Sequence, residues 1–321
     1  MAKGNLLLGY GRGKVGSLVF SRRKGEQIVR ARNTAPANPR TNAQLNQRMK
    51  MYAPVKLYRQ SMERFFKYAF SVKERETIFN AFMRENIALA PWTSRELVTA
   101  QAPIPFPARM SSGSVGGFFQ VPTYADDDSI LEANDFSVGK IVDAAGDGTT
   151  ASVVLCLTAP ASEVETIGEL SSAILASQPT LQIGDQITLV AVGTTGLLQE
   201  NGMVDFDGEH GFIFNYHKFV IDTESTLLLS STPLNVIKLG NLLYVQLALP
   251  FGWEEGAFGG TVIVTRNVGS KVDASNSSLV LSSKAQSIYN FMRTDSWKSK
   301  AAASYKASPD AYLNPATTVN E

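Results

Sequence analysis

Two hydrophobic rhythms run along the chain, and they predict different elements. Residues 14–21 (Lys-Val-Gly-Ser-Leu-Val-Phe-Ser) carry β-branched and aromatic side chains, and 26–33 return as a second strand-like run. Between them stands Arg22-Arg23-Lys24-Gly25, with Gly25 placed to take a positive φ. This predicts a β-hairpin. Period-two alternation puts Ile28, Arg30 and Arg32 on one face and Val29 and Ala31 on the other. A lone hairpin is marginal in water, so this one is expected to lie against a body, a neighbouring subunit or a nucleic acid.

The helical rhythm comes next. Residues 34–40 form a Pro-rich link, and Thr41 with Gln44 makes the capping-box pattern that opens a helix. Leu45, Met49 and Tyr52 share one helical face running toward residue 70, and Pro54 is expected to kink or split it. A second helix is predicted over 73–90, stopping near Pro91. Pro103, Pro105 and Pro107 mark an extended linker. Residues 116–280 then read as short strands, clearest at 118–122, 136–142, 151–157, 186–192, 212–221, 242–248 and 261–265. The pattern predicts a mainly β fold: an antiparallel β-sandwich of single jelly-roll or Ig-like form, with an N-terminal basic hairpin arm and a helical segment. One helix, 162–177, interrupts the strands, with acids in its first turn. Another is expected over 284–305, before a polar tail. The parts are an arm and link (1–40), a helical segment (41–100), a β body (101–281) and a C-terminal helix and tail (282–321). No fixed-period repeat is present.

Charge sharpens this outline. The net charge of +1 conceals an asymmetry. Residues 1–67 hold fifteen of the thirty Lys and Arg against only Glu26 and Glu63, a net of +13. The rest holds fifteen basic residues against twenty-seven acids, a net of −12. Such a split points to an arm that meets a polyanion, or the acidic surface of its own or a neighbouring copy. The candidate contacts to nucleic acid or to another subunit are Arg12, Lys14, Arg22, Arg23, Lys24, Arg30, Arg32, Arg40, Arg48 and Lys50. Basic side chains of this kind neutralise phosphates without reading sequence. Tyr10 and Phe20 could stack on bases, although Phe20 also fits a packed position. Arg59, Arg64 and Lys67 extend the positive surface, as a solvated helix face also would. The charged fraction of 18% is below the usual roughly 25%, which suits a surface covered in part by other copies.

No pattern points to an enzyme, a cofactor or a metal. Gly11-Arg12-Gly13-Lys14-Val15-Gly16 matches G-x-G-x-x-G, but a strand follows it where a dinucleotide site needs a helix. It reads instead as a flexible loop beside a phosphate, or as an ordinary turn. The single cysteine, Cys156, cannot form an internal disulfide and reads as a core residue. His210 and His217 lack ligand spacing, and Asp126-Asp127-Asp128 and the Asp143–Asp147 turn lack calcium-loop spacing. No apolar run reaches the roughly 20 residues that span a membrane. The N-terminus lacks the pattern of a secretory signal. The protein is therefore expected in a cytosol, or in a particle assembled there.

The N-terminal pattern resembles an uncharacterised group of proteins from gut and Bacteroidetes-associated phages and small viruses. The resemblance rests on Lys3-Gly4-Asn5-Leu6, Gly11-x-Gly13-x-Val15-Gly16, Arg30-Ala31-Arg32, and Asn38-Pro39-Arg40-Thr41 with Gln44, Gln47 and Arg48. Weaker echoes are Gly184-Asp185-Gln186-Ile187-Thr188-Leu189-Val190 and Val264-Thr265-Arg266. It implies a viral or mobile-element setting rather than a reaction. A basic arm ahead of a β-sandwich also resembles the plan of small icosahedral capsid proteins. The helical stretch 41–95 departs from the simple form of that plan, and 116–280 is long enough for one sandwich, not two. The leading expectation is a virion structural protein, a capsid subunit, with other copies of itself and viral DNA or RNA as partners. The alternative is a phage-encoded nucleic-acid-binding accessory protein outside the shell. A hydrolase or carbohydrate-binding module built on the sandwich is a third reading.

Overall fold

The computed structural model describes residues 12–23, 26–33, 41–62, 69–70, 72–73, 76–99, 106–120, 135–142, 149–195, 211–248, 257–269 and 271–307. The chain forms two compact units, Met1–Thr41 and Asn42–Glu321. It is mainly β, with antiparallel sheets and a curled half-barrel.

The first unit is a three-stranded antiparallel meander: β1 (Gly13–Val15), β2 (Leu18–Arg23) and β3 (Glu26–Ala31). The strand expected over 14–21 is broken in two by a tight turn at Gly16-Ser17. Gly16 takes φ +53° there, a conformation that favours a residue without Cβ. Arg22 and Arg23 pair with Gln27 and Glu26 inside the ladder rather than forming the turn. Lys24, Gly25 and the link 34–40 lie outside the described residues.

The second unit opens with helix α1 (Asn42–Leu57), which starts directly after Thr41. Leu45, Met49, Ala53 and Leu57 recur every fourth residue and are buried. Pro54 does not end the helix. The α-form continues to Leu57 and then loosens into a π-helical turn at Tyr58–Met62. Pro54 lacks the N–H that would bond the Lys50 carbonyl, yet it is buried with Ala53 and Leu57, and packing carries the helix past it. Helix α2 (Ile78–Asn86) starts later than residue 73, because the Thr77 hydroxyl accepts the Asn80 N–H at 3.2 Å. Its last residue, Asn86, is fully buried. The Asn86 side chain accepts the Arg109 N–H at 2.6 Å and donates to the Arg109 carbonyl at 2.9 Å. A short helix α3 (Arg95–Thr99), not expected from the sequence, follows the turn after α2.

The strands of this unit are β4 (Arg109–Ser111), β5 (Phe119–Gln120), β6 (Asp135–Val142), β7 (Thr149–Thr158), β8 (Gln186–Thr195), β9 (Gly211–Val220), β10 (Leu234–Leu239), β11 (Leu242–Ala248), β12 (Ala257–Val268), β13 (Lys271–Ala274), β14 (Ser277–Ser278) and β15 (Val280–Leu281). One sheet runs β10-β11-β7-β6-β5, antiparallel except for the β5–β6 edge. The other runs β13-β12-β8-β9, with β15 also paired to β12, and β14 pairs with β4. Helix α4 (Ile167–Ser177) lies between β7 and β8 and begins at 167 rather than 162. Two S/T-x-x-E patterns compete here, Ser162 with Glu165 and Thr166 with Glu169. The second forms the box: Thr166 accepts the Glu169 N–H, and the Glu169 carboxylate accepts from the Glu165 and Thr166 N–H groups. The single helix expected over 284–305 is two, α5 (Ser283–Phe291) and α6 (Asp295–Ala307). The Thr294 hydroxyl accepts the Trp297 N–H at 3.3 Å and so starts α6 afresh.

One hydrophobic cluster joins the two sheets and α4. It includes Val153, Leu155 and Leu157 of β7, Leu189 and Ala191 of β8, Val262 and Val264 of β12, and Leu170 and Ile174 of α4. A second cluster covers the opposite side of β8 and β12. Val190, Val192 and Ile263 there meet Met49, Phe82, Leu97, Ile288 and Trp297 from the helices. Strands β8 and β12 are therefore apolar on both faces. The segments 41–100, 101–281 and 282–321 all contribute to this one unit.

Candidate nucleic-acid interface

The register of the small sheet sorts its side chains. In an antiparallel ladder, residues directly opposite each other share a face. Lys14 pairs with Val19 and Val19 with Arg30, so Lys14 and Arg30 stand in one row across three strands. Arg32 continues beyond β3, its N–H donating to the Ser17 carbonyl at 2.6 Å. Gly13, Phe20 and Val29 form a row on the opposite face, and Val15, Leu18 and Ala31 form another. One face thus carries Lys14, Arg30 and Arg32 among Val19 and Ile28, and the other is mostly apolar, with Arg22 at its tip. Nothing in the sheet amounts to a core: Val15, Leu18 and Val29 are each more than 40% exposed. Arg12, Lys14, Arg22, Arg30 and Arg32 are all exposed as well. Arg23 is opposite Glu26 in the ladder. Lys24, Arg40 and Tyr10 lie outside the described residues. Phe20 is half-buried, on the apolar face.

The other two candidates, Arg48 and Lys50, belong to the second unit, on α1. Lys50 joins a cluster that no local pattern announces. Its ammonium lies 5.6 Å from the centre of the Trp92 ring, with Lys298 at 4.9 Å and the Arg293 guanidinium at 5.8 Å. Arg293 and Lys298 stand some two hundred residues further along the chain, out of reach of any short motif. Burial lowers the pKa of Lys50, and the charges of Arg293 and Lys298 lower it further. The turn after α2 is clasped by the C-terminal helices. Arg293 donates to the Ala88 and Ala90 carbonyls, Tyr289 to Leu89, and the Trp297 indole N–H to the Trp92 carbonyl at 2.7 Å.

The two weaker sequence echoes meet in space. Arg266 makes two parallel bonds to Asp185, Nε to Oδ1 at 2.7 Å and Nη2 to Oδ2 at 2.6 Å, and a third to the Thr180 carbonyl. Asp185 is buried and also accepts the Gln182 N–H. The pair raises the pKa of Arg266 and ties the turn before β8 to β12.

The remaining chemical candidates are placed as follows. The G-x-G-x-x-G stretch leads into strand β1 and the Gly16 turn, not into a helix. Cys156 is fully buried, beside Val154, Leu242 and Tyr244, on the face of β7 away from the main core. His217 is half-buried and stacks on Phe219, and burial lowers its pKa. His210 and the acidic turns at 126–128 and 143–147 lie outside the described residues. Among the described residues no group of three His, Cys, Asp or Glu is placed to hold a metal, and no helix is long and apolar enough to cross a membrane.

A family model, described as a family of unknown function (DUF6266), matches residues 10–92. The matched stretch runs from the small sheet through α1 and α2 to Trp92, which is less than half of the chain. No curated protein and no solved structure matches.

Proposed function

We propose that this chain is a structural subunit of a virus particle, and that its small N-terminal sheet contacts the genome or a neighbouring subunit. The observation that carries this reading is the two-faced sheet. A meander with exposed Val15, Leu18 and Val29 on one side, and Lys14 and Arg30 on the other, buries too little to be stable alone. It needs an apolar partner for one face and suits a polyanion on the other. The +13 charge of residues 1–67 beside the −12 of the rest supports both contacts, since acidic surface is available on each copy. Two five-stranded sheets sharing one core support a shell-forming sandwich, of single jelly-roll or Ig-like topology. Leu227 and Leu228, both more than half exposed, add apolar surface suited to contact between copies.

Binding of the full-length chain to single-stranded and duplex nucleic acid, measured across salt concentrations, tests the arm. Neutralising Lys14, Arg22, Arg30 and Arg32 to Gln should weaken binding and flatten its salt dependence. The log–log slope should shrink by about 0.7–0.9 for each phosphate that is no longer neutralised. Affinity that ignores both salt and these substitutions would remove nucleic acid as the arm's partner.

A further inference from the structure

Trp92 sits where three elements converge, and each brings a cation. Lys50 comes from α1, Arg293 from the turn between α5 and α6, and Lys298 from the first turns of α6. An indole ring attracts cations through its quadrupole, but only weakly at exposed sites. That attraction is of the same order as the repulsion among neighbouring like charges, so three cations at one ring are poorly compensated. Among the described residues, no carboxylate pairs with Lys50, Arg293 or Lys298. The same segment carries three buried polar atoms without a hydrogen-bond partner: the Trp92 indole N–H, the Thr93 hydroxyl and the Ser94 hydroxyl.

A groove of about 550 Å³ adjoins the cluster, between α1 and α6. Lys298 lines it too, together with Lys306, Asn42, Asn46 and Ser299. Asp295, its one acid, stands in the first turn of α6. The floor is apolar, formed by Leu45, Met49, Ala302 and Ala303, while two lysines and the Asn42, Asn46 and Ser299 side chains supply donors beside the positive centre. Phosphate oxygens take charge-assisted bonds from such groups and offer the counter-charge.

We propose that Lys50, Arg293 and Lys298, gathered around Trp92, form a phosphate-binding site on the second unit, and that the adjoining groove receives the nucleic-acid strand carrying that phosphate. The site is built wholly from residues after 41, so it stands or falls apart from the N-terminal sheet.

The test uses the full-length chain with Lys14, Arg22, Arg30 and Arg32 changed to Gln, which lessens the contribution of the arm. Short oligothymidylate and inorganic phosphate are each titrated while tryptophan fluorescence is read, and Trp92→Phe assigns the signal. The expected result is a Trp92-dependent change, with oligothymidylate bound about tenfold or more tighter than phosphate because several phosphates are engaged. Adding Lys50→Gln and Lys298→Gln should weaken strand binding several-fold and lower the salt slope by about 0.7 for each phosphate released from a lysine. Both lysines are half-buried at most and hold no structural bond among the described residues, so circular dichroism should remain unchanged. Arg293 is left in place because it bonds the Ala88 and Ala90 carbonyls. Three outcomes would overturn the proposal: no binding of either probe, binding indifferent to Lys50→Gln and Lys298→Gln, or phosphate bound as tightly as the strand.

Discussion

Asp185 and Arg266 show how a single pair can set the geometry of a turn. The carboxylate is almost fully buried, while the guanidinium is about one-quarter exposed. Removing Arg266 would strand a buried charge, so Arg266→Ala should cost about 2–4 kcal/mol, read by urea unfolding. Arg266→Lys should recover only part of that, since an ammonium cannot reproduce the two parallel bonds. The Glu169 carboxylate makes a different kind of contribution. The N–H groups of Glu165 and Thr166, bonded to it, hold its pKa below the ordinary carboxylate range. A carboxyl with a lowered folded pKa stabilises the fold at pH above its unfolded value of about 4.3. That contribution disappears as pH falls through the folded value. Glu169→Gln should therefore be less stable than the parent at neutral pH, and should decline less steeply on acidification below about pH 5, in thermal melts across that range.

Between elements, the two sheets approach closely at Gly260 on β12. A Cβ there would run into the side chains of Val153 on β7 and Val138 on β6. Gly260→Ala should force these strands apart and cost about 1–3 kcal/mol in chemical denaturation. By contrast Gly16, whose added Cβ would meet nothing, resists substitution only through its positive φ. The strands are legible in the sequence because their signal is local. Runs such as 186–192, rich in β-branched residues, and 242–248, rich in apolar ones, are bounded by turn residues, and each appears as a strand. The layer of helices behind β8 and β12 is not legible. Val190 and Val192 reveal that a second face is buried, but not what covers it. Helix starts differ from expectation where two capping patterns compete, at 162 and 166, and where Thr294 interrupts an otherwise continuous stretch. The basic row of the small sheet can be read from alternation alone for Arg30 and Arg32. Lys14 joins it only through the Gly16 turn, which reverses the chain early. The cluster at Trp92 is beyond sequence reasoning, because nothing near Lys50 signals that it meets Arg293 and Lys298.

For the molecule as a whole, charge and exposed apolar surface point the same way. The second unit holds two large hydrophobic clusters, on opposite faces of β8 and β12, enough for a stable body. Among its described residues the first unit shows no comparable core, and its sheet presents one mostly apolar face and one that carries the cations. A chain built this way is most stable when its small sheet is covered, and in the proposed reading other copies together with a polyanion would supply both coverings. Charge patterning alone does not separate a shell subunit from an accessory nucleic-acid-binding protein, because each would bind with the same salt sensitivity. Assembly separates them. The direct measurement is sedimentation velocity of the full-length chain over a range of concentrations, with and without single-stranded nucleic acid. The capsid reading predicts large, discrete species that grow with concentration or with added nucleic acid. A chain that remains a monomer at high concentration, with and without nucleic acid, would contradict it.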